Sequence, residues 1–232
     1  DGRRFAEIFS GVGHLAQSFA RAGIISEAWD ILHGSEADFL RREVVDRFKQ
    51  RIIYGKYVAI SFGLPCISWS RARRKDGKGP PPLRDDGLHL MTGLPKLSAS
   101  DRKKIREGNA LLTITCELIE LAVKHNVVVY LENPQSSRVW LTPQINELCG
   151  KYGGVFNVVD YCQYGEIWKK PTTFLTFNGS FLNLRRCRGH GGQCSKRHPD
   201  GTIRFHQALK GKNEDGQYWT KVAAPYPREL CS

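Results

Sequence analysis

Short apolar runs alternate with amphipathic stretches from the start of the chain. Phe5-Ala6-Glu7-Ile8-Phe9 alternates into a glycine turn, and Leu15, Phe19 and Ala22 then recur at helical spacing, so residues 5 to 23 are expected to form strand, turn and helix. Ile24 to Ile31 predicts a second strand ending in Trp29-Asp30. Val44, Val45, Phe48 and Ile52 give residues 40 to 54 one apolar helical face, and Tyr57 to Phe62 is a buried-strand run entering Gly63-Leu64-Pro65-Cys66. From Ser68 to Pro95 the chain is rich in Arg, Lys, Gly and Pro and predicts no regular core element. A serine start at Ser100 precedes Ile105, Leu111, Leu112, Ile114, Leu118 and Leu121, which predict a long helix to about Lys124. Val127 to Leu131 is wholly apolar, as expected at the centre of a parallel sheet. Pro143 to Tyr152 predicts a further helix, and Val155 to Tyr161 with Thr172 to Phe177 two closing strands. The expected fold is α/β, a Rossmann-like, doubly wound, mostly parallel sheet. Periodicity fades after it, and Cys, His, Gly and Arg dominate from Arg185 to His206. We therefore expect a main domain over 1–178 and a small, basic, Cys/His-rich C-terminal module over 179–232.

Composition narrows the class. With 232 residues, 41% of them apolar and 25% charged, the chain is long enough for one α/β core and unlike disordered or collagenous sequences. No apolar run approaches the roughly 18 residues that span a bilayer, so no membrane partner is expected. The net charge of +12 favours a polyanionic partner, nucleic acid first, because a basic surface releases counterions from a phosphate backbone. Excess Lys and Arg that merely solubilise the surface would give the same figure. Seven scattered cysteines, an odd number, fit a reducing intracellular compartment, the nucleus if the source is eukaryotic. The first strand begins within about four residues of the start, so any N-terminal control is expected to lie outside this chain.

Four strings carry the candidate chemistry: Phe9-Ser10-Gly11-Val12-Gly13, Gly63-Leu64-Pro65-Cys66, Leu131-Glu132-Asn133-Pro134, and Gln163-Tyr164-Gly165 through Lys170-Pro171-Thr172. A glycine turn after a first strand lets a ligand approach the backbone and the next helix, and many nucleotide-binding proteins have one. A thiol and a carboxylate, each leaving the carboxyl end of a parallel strand beside such a turn, suggest attack on a base. In order and spacing these strings resemble the motifs of the cytosine-5 DNA methyltransferases over roughly residues 5 to 178. Pro65-Cys66-Ile67-Ser68-Trp69-Ser70-Arg71-Ala72-Arg73, Gly79-Pro80-Pro81-Pro82-Leu83-Arg84 and Ala224-Pro225-Tyr226-Pro227 are similar to a divergent branch found in phages, mobile elements and some protists.

The resemblance implies a class I S-adenosylmethionine-dependent fold and a DNA substrate, with RNA, as in a tRNA-methylating branch, the alternative. Cys66 would add to cytosine C6 as a thiolate, with Arg71, Arg73 and Arg74 supplying positive potential that lowers its pKa. Glu132, with Asn133 beside it, would bond the ring edge at N3 and the exocyclic amine. S-adenosylmethionine would lie over Phe9, Ser10, Gly11 and Gly13, with Pro65 nearby, Trp29 against the adenine, Asp30 on the ribose and Asp38 on the adenine amine. Ser68, Arg71, Arg73, Arg74, Lys75 and Arg84 would close over the flipped base and hold phosphates, and Lys169 or Lys170 would hold a phosphate or carbonyl oxygen. The sequence departs from the family at three places: Ile67 replaces its Gln, Lys170 and Thr172 stand where it has paired arginines, and Ala28 precedes Trp29 where it has an acidic residue. These departures keep open a catalytically silent nucleic-acid-binding domain.

The tail offers a metal. Cys187, Cys194 and His206 are the candidate ligands of a structural zinc, and Cys187-x2-His190 and Cys194-x3-His198 resemble ligand pairs without matching a standard finger. The tail stands where the family reads its target, and its shortness predicts low sequence specificity, with Arg185, Arg186, Arg188, Lys196 and Arg197 on the backbone.

Overall fold

The computed structural model describes residues 2–73, 80–180, 184–197 and 201–232. The expected Arg74, Lys75 and His198 lie outside them. Strand β1 (Arg4–Ile8), helix α1 (His14–Arg21), β2 (Ser26–Trp29), α2 (Arg42–Ile53) and β3 (Tyr57–Gly63) form the first half. A short α3 (Leu88–Met91), the long α4 (Ala99–Lys124), β4 (Val128–Pro134), α5 (Pro143–Tyr152), β5 (Val155–Asp160) and β6 (Pro171–Phe177) complete a six-stranded sheet. After it, only α6 (Trp219–Val222) is regular helix among the described residues. None of the described helices is long and apolar enough to cross a membrane.

The strand order is β2-β1-β3-β4-β6-β5, with β6 alone running against the others. The chain winds outward from β1 to β2, then returns to the other side of β1 to lay down β3 and β4. That reversal makes a topological switch point at the carboxyl ends of β1 and β3, where doubly wound sheets bind ligands.

The two faces of the sheet are covered differently. Ile8, Ile60, Phe62, Leu131 and Leu175 pack under α2, α4 and α5 through Val44, Phe48, Ile52, Leu112, Ile119 and Ile145. On the opposite face, α1 covers only the β1 and β3 end, where Phe5 stacks on Phe19 with ring centroids 3.9 Å apart. Val159, Tyr161 and Phe174 are covered instead by Ala223, Trp219, Val222, Tyr226 and Leu230. The segment beyond Asn178 thus supplies a wall of the sheet's own core.

Two boundaries differ from expectation for local reasons. β2 ends at Trp29 because the Asp30 carboxylate accepts a hydrogen bond from Leu32 N and starts a 3-10 turn, leaving Ile31 and Leu32 exposed. α4 starts before Ser100: Ser98 Oγ accepts from Asp101 N at 3.1 Å and donates to Asp101 Oδ2 at 2.9 Å, a reciprocal cap.

The basic loop after Cys66 is pinned where it meets α4. Arg84, expected on phosphate, is fully buried, with its guanidinium 3.4 Å from the centroid of the Trp69 ring. Arg84 donates to Met91 O, Asn109 Oδ1 and Ser68 Oγ, so Ser68, also buried, is likewise withdrawn from nucleic acid. A long polar side chain with several donors ties the thiol loop to the end of α3 and to α4 at once, which the sequence pattern alone reads as mere basicity.

Gly108, in the middle of α4, makes room for this arrangement. A Cβ there would stand 2.4 Å from Ser68 Oγ and 3.0 Å from Arg84 Nη2. At an ordinary helix position Gly→Ala gains up to about 1 kcal/mol. Gly108→Ala is expected to reverse that sign and lose about 1–3 kcal/mol through overpacking, read as a lower urea midpoint at unchanged m-value. A raised midpoint would show that the Arg84 cluster is not tightly packed.

Candidate active site

The β3–β4 register sets the first pair of groups. Gly63 stands opposite Glu132, and the chain leaves β3 through Leu64 and Pro65 to Cys66. Cys66 O accepts from Trp69 N and Ser70 N, which folds the loop back on itself and holds the half-buried thiol at its bend. Asn133 Nδ2 donates to Leu64 O at 2.7 Å, and the residue is fully buried. Asn133 is therefore a brace for the thiol loop. Ile67, beside the thiol, is 62% exposed.

Glu132 is 8% exposed, and burial raises its carboxyl above the ordinary carboxylate value. Its Oε2 lies 3.5 Å from Tyr226 Oη, a long contact, and its Oε1 has no hydrogen-bond partner among the described residues. An unpartnered buried carboxyl oxygen is costly unless a ligand completes it. Burial pushes the Cys66 thiol above its ordinary value, Glu132 pushes it the same way and Lys170 opposes both. This corrects the expectation of a thiol activated by Arg71 and Arg73: Arg71 is held by Ser136 O and Asp86, and Arg73 by Pro81 O and Asp101.

Among the described residues Lys170, rather than Arg71 or Arg73, is the cation whose charge acts on the thiol. Its backbone φ of 23° is strained for a non-glycine residue. Its Nζ lies 4.5 Å from the centroid of the Tyr161 ring and donates to Ala223 O at 2.9 Å, so the carbonyls it holds are this chain's own. Lys169 lies half-exposed beside it.

The turn after β1 is built from left-handed residues, Phe9 (φ 57°), Gly11 (54°) and Gly13 (69°). Asp30 carries this turn: its Oδ2 accepts from Gly11 N at 2.8 Å while Oδ1 takes Leu32 N. Glu7, 1% exposed, accepts from Ala16 N at 2.7 Å, and burial pushes it up to about 7. The start of α1 is thereby occupied by the chain's own carboxylate. A pyrophosphate-binding dinucleotide site needs those donors free, whereas a cationic ligand suits acidic surroundings. Ser10 Oγ is buried without a partner among the described residues, and a Cβ on Gly11 would meet nothing within 4 Å. A polar, uncapped platform of this kind fits S-adenosylmethionine.

Two of the expected cofactor contacts are engaged elsewhere. Trp29 packs edge-on to Phe39 and Phe48, and Arg47 and Arg51 lie over its ring at 5.5 and 5.6 Å, so a purine stacking there must displace guanidinium groups. Asp38 accepts from Leu40 N in the turn before α2. Pro65 remains half-buried beside the thiol.

Sequence reasoning missed Tyr226 and His14. Tyr226 Oη would lie 3.1 Å from a Cβ on Gly63, and Tyr226 O lies 2.8 Å from His14 Nδ1 at the start of α1. The late Ala224-Pro225-Tyr226-Pro227 string is the signal that carries it. A cavity of about 400 Å³ beyond Tyr226, lined by Phe19, Ser61, Tyr130, Phe174 and Cys231, does not include Cys66. In the tail, Cys187, Cys194 and His206 converge with Cys162, which the sequence reading also missed, while His190 is exposed outside the group.

No family model and no curated protein sequence matches the chain. Among solved structures it is similar to the Entamoeba histolytica methyltransferase EhMeth, with 13% identity over 80% of this chain and 57% of that one, and a TM-score of 0.43. It is also similar to a mutant of Spodoptera frugiperda DNMT2 (14% identity, 81% and 54% coverage, TM-score 0.39). Against the Schizosaccharomyces pombe Dnmt2 methyltransferase the figures are 14%, 78% and 53%, and 0.40. The chain spans little more than half the length of these proteins.

The electrostatics of the thiol are open to direct test. Alkylation of Cys66 by iodoacetamide, followed by peptide mass mapping against pH, is expected to have its midpoint above that of a free cysteine thiol. Glu132→Gln removes the raising charge and lowers that midpoint; Lys170→Met raises it. Midpoints that do not move with either substitution would separate these groups from the thiol.

Proposed function

We propose that this chain is an S-adenosylmethionine-dependent cytosine-5 methyltransferase acting on DNA with low sequence specificity, through a covalent bond between Cys66 and cytosine C6. The observation that carries this reading is the meeting of the Cys66 loop with the half-satisfied carboxyl of Glu132, fixed by the pairing of Gly63 with Glu132. A nucleophilic thiol beside a carboxyl whose hold on a proton is strengthened by burial is what activation of a pyrimidine ring requires.

Cytosine C5 is a poor nucleophile until a group adds at C6. The Cys66 thiolate forms the S–C6 bond, the ring electrons move toward N3, and Glu132 supplies a proton there while its other oxygen stays near Tyr226. Lys170 stabilises the thiolate before attack. S-adenosylmethionine, when bound, supplies an electrophilic methyl group, and Phe9, Ser10, Gly11, Gly13, Asp30 and Pro65 would hold it. Once C5 carries its new substituent, water takes the C5 proton, the S–C6 bond breaks, and the N3 proton returns to Glu132. The exposed Arg185, Arg186 and Arg188 are the phosphate contacts of this reading, with Arg71 at the rim of the thiol loop.

Transfer of tritiated methyl groups to duplex DNA and to folded RNA, in parallel, tests the function. The expected result is label at cytosine C5 in DNA, lost in Cys66→Ala and lowered about 10²- to 10⁴-fold in Glu132→Gln. Label in RNA alone would move the substrate to RNA. Undiminished methylation by Cys66→Ala would overturn the mechanism.

A further inference from the structure

Cys162, Cys187, Cys194 and His206 each present one ligand atom, and all four atoms lie within 4.8 Å of one another. Three come from the tail, but Cys162 stands in the 3-10 turn Tyr161–Tyr164 that leaves β5. All three thiols are buried, at 3%, 8% and 8% exposure, and His206 is half-buried. Cys187 Sγ lies 3.6 Å from His206 Nε2. In a tetrahedral zinc site with Zn–S of about 2.3 Å and Zn–N of about 2.1 Å, ligand atoms stand roughly 3.5–3.8 Å apart. The cluster is already close to that size.

The surroundings suit thiolates. Ser195 N and Oγ donate to Cys187 Sγ at 3.4 and 3.5 Å, Lys196 N donates to Cys194 Sγ at 3.4 Å, and Gln163 Nε2 reaches Cys162 and Cys194 at 3.5 Å. Three thiolates around a divalent ion leave one negative charge, and N–H and O–H donors on the sulfurs offset it. The backbone is shaped for the purpose. Cys194 N bonds Arg204 O and His206 N bonds Gly192 O, forming a small ribbon that brings Cys194 and His206 together. A Cβ on Gly189 would lie 1.9 Å from Gln193 O, so the loop from Cys187 to Cys194 closes this tightly only around glycine. Asp160, fully buried at the end of β5, accepts from Cys187 N and Arg186 Nε, both at 2.8 Å, and sets the first tail ligand against the sheet.

We propose that these four residues form a closed Cys3His site for structural zinc, with Cys162 as the ligand that fastens the tail to the sheet. Binding takes three protons from the thiols into solvent and leaves no open coordination position, so the ion holds structure. It fixes the run Arg185–Arg188 beside β5, in a segment whose described residues have almost no regular secondary structure of their own.

The test is made on the whole chain, purified reduced from zinc-supplemented cells. Elemental analysis is expected to give one zinc per chain. Exchange for Co²⁺ is expected to give the visible d–d absorption of a tetrahedral site, with charge-transfer intensity corresponding to three thiolates. Cys162→Ser is expected to lose about a third of that charge-transfer intensity and to weaken Co²⁺ binding by more than about 100-fold, whereas Cys116→Ser changes neither. If Cys162→Ser does not fold, the wild-type Co²⁺ spectrum decides by itself. Folded wild-type protein with no stoichiometric metal and no tetrahedral Co²⁺ spectrum, or a disulfide within the cluster in its place, would overturn the site. A Cys162→Ser protein with unchanged Co²⁺ affinity and charge transfer would overturn the role given to Cys162.

Discussion

Everything at the switch point depends on how β3 ends at Gly63. Its pairing partner is Glu132, its missing side chain admits Phe9 O from the β1 turn and Tyr226 Oη from the tail, and the next three residues deliver Cys66. A side chain at this position would separate the turn, the carboxyl and the tail in one step. Because a one-residue register slip turns every strand side chain to the other face, the hydrophobic packing of Ile60, Phe62, Val129 and Leu131 under α4 also keeps Glu132 on the face that Tyr226 covers. Core packing and site geometry are the same constraint here.

The tail is the second half of that site. Lys170 Nζ reaches the Ala223 carbonyl, Tyr226 meets Glu132, and the Tyr226 carbonyl meets His14 at the head of α1. An ordinary doubly wound sheet covers this face with long helices; this chain uses a strap, irregular apart from the single turn of α6, whose apolar residues, Trp219, Val222, Ala223 and Tyr226, pack onto Tyr161, Trp168 and Phe174. Irregular segments hold position only when something other than a backbone ladder fixes them. Apolar burial does so near Ala223, and the Asp160 contacts do so near Cys187.

The architecture was legible because periodicity is local. Apolar strands and amphipathic helices announced themselves, and the turn at Phe9–Gly13 and the thiol loop each followed a recognisable strand end. What escaped was non-local. Arg84 reads as one more cation in a basic loop until Trp69, Ser68 and the gap at Gly108 surround it. Cys162 follows a strand with no ligand-like neighbour in sequence, and only folding brings it to Cys187, Cys194 and His206. Its one local sign is that, unlike Cys116 and Cys149, it lies outside any apolar helical pattern. Lys170 reads as a phosphate or carbonyl holder, but its charge acts on the thiol only once the fold brings β6 and the thiol loop together.

In the proposed reaction Cys66 attacks a pyrimidine ring held by Glu132. Fluorine at C5 cannot leave as a proton does, so a duplex containing 5-fluorocytosine, incubated with the chain and S-adenosylmethionine, arrests the reaction at the covalent stage. The expected product is a denaturation-resistant protein–DNA species whose mass includes the added methyl group and whose peptide map places the bond on Cys66. A covalent species mapped to another cysteine, or none with folded protein shown to bind the cofactor and the duplex, would contradict it.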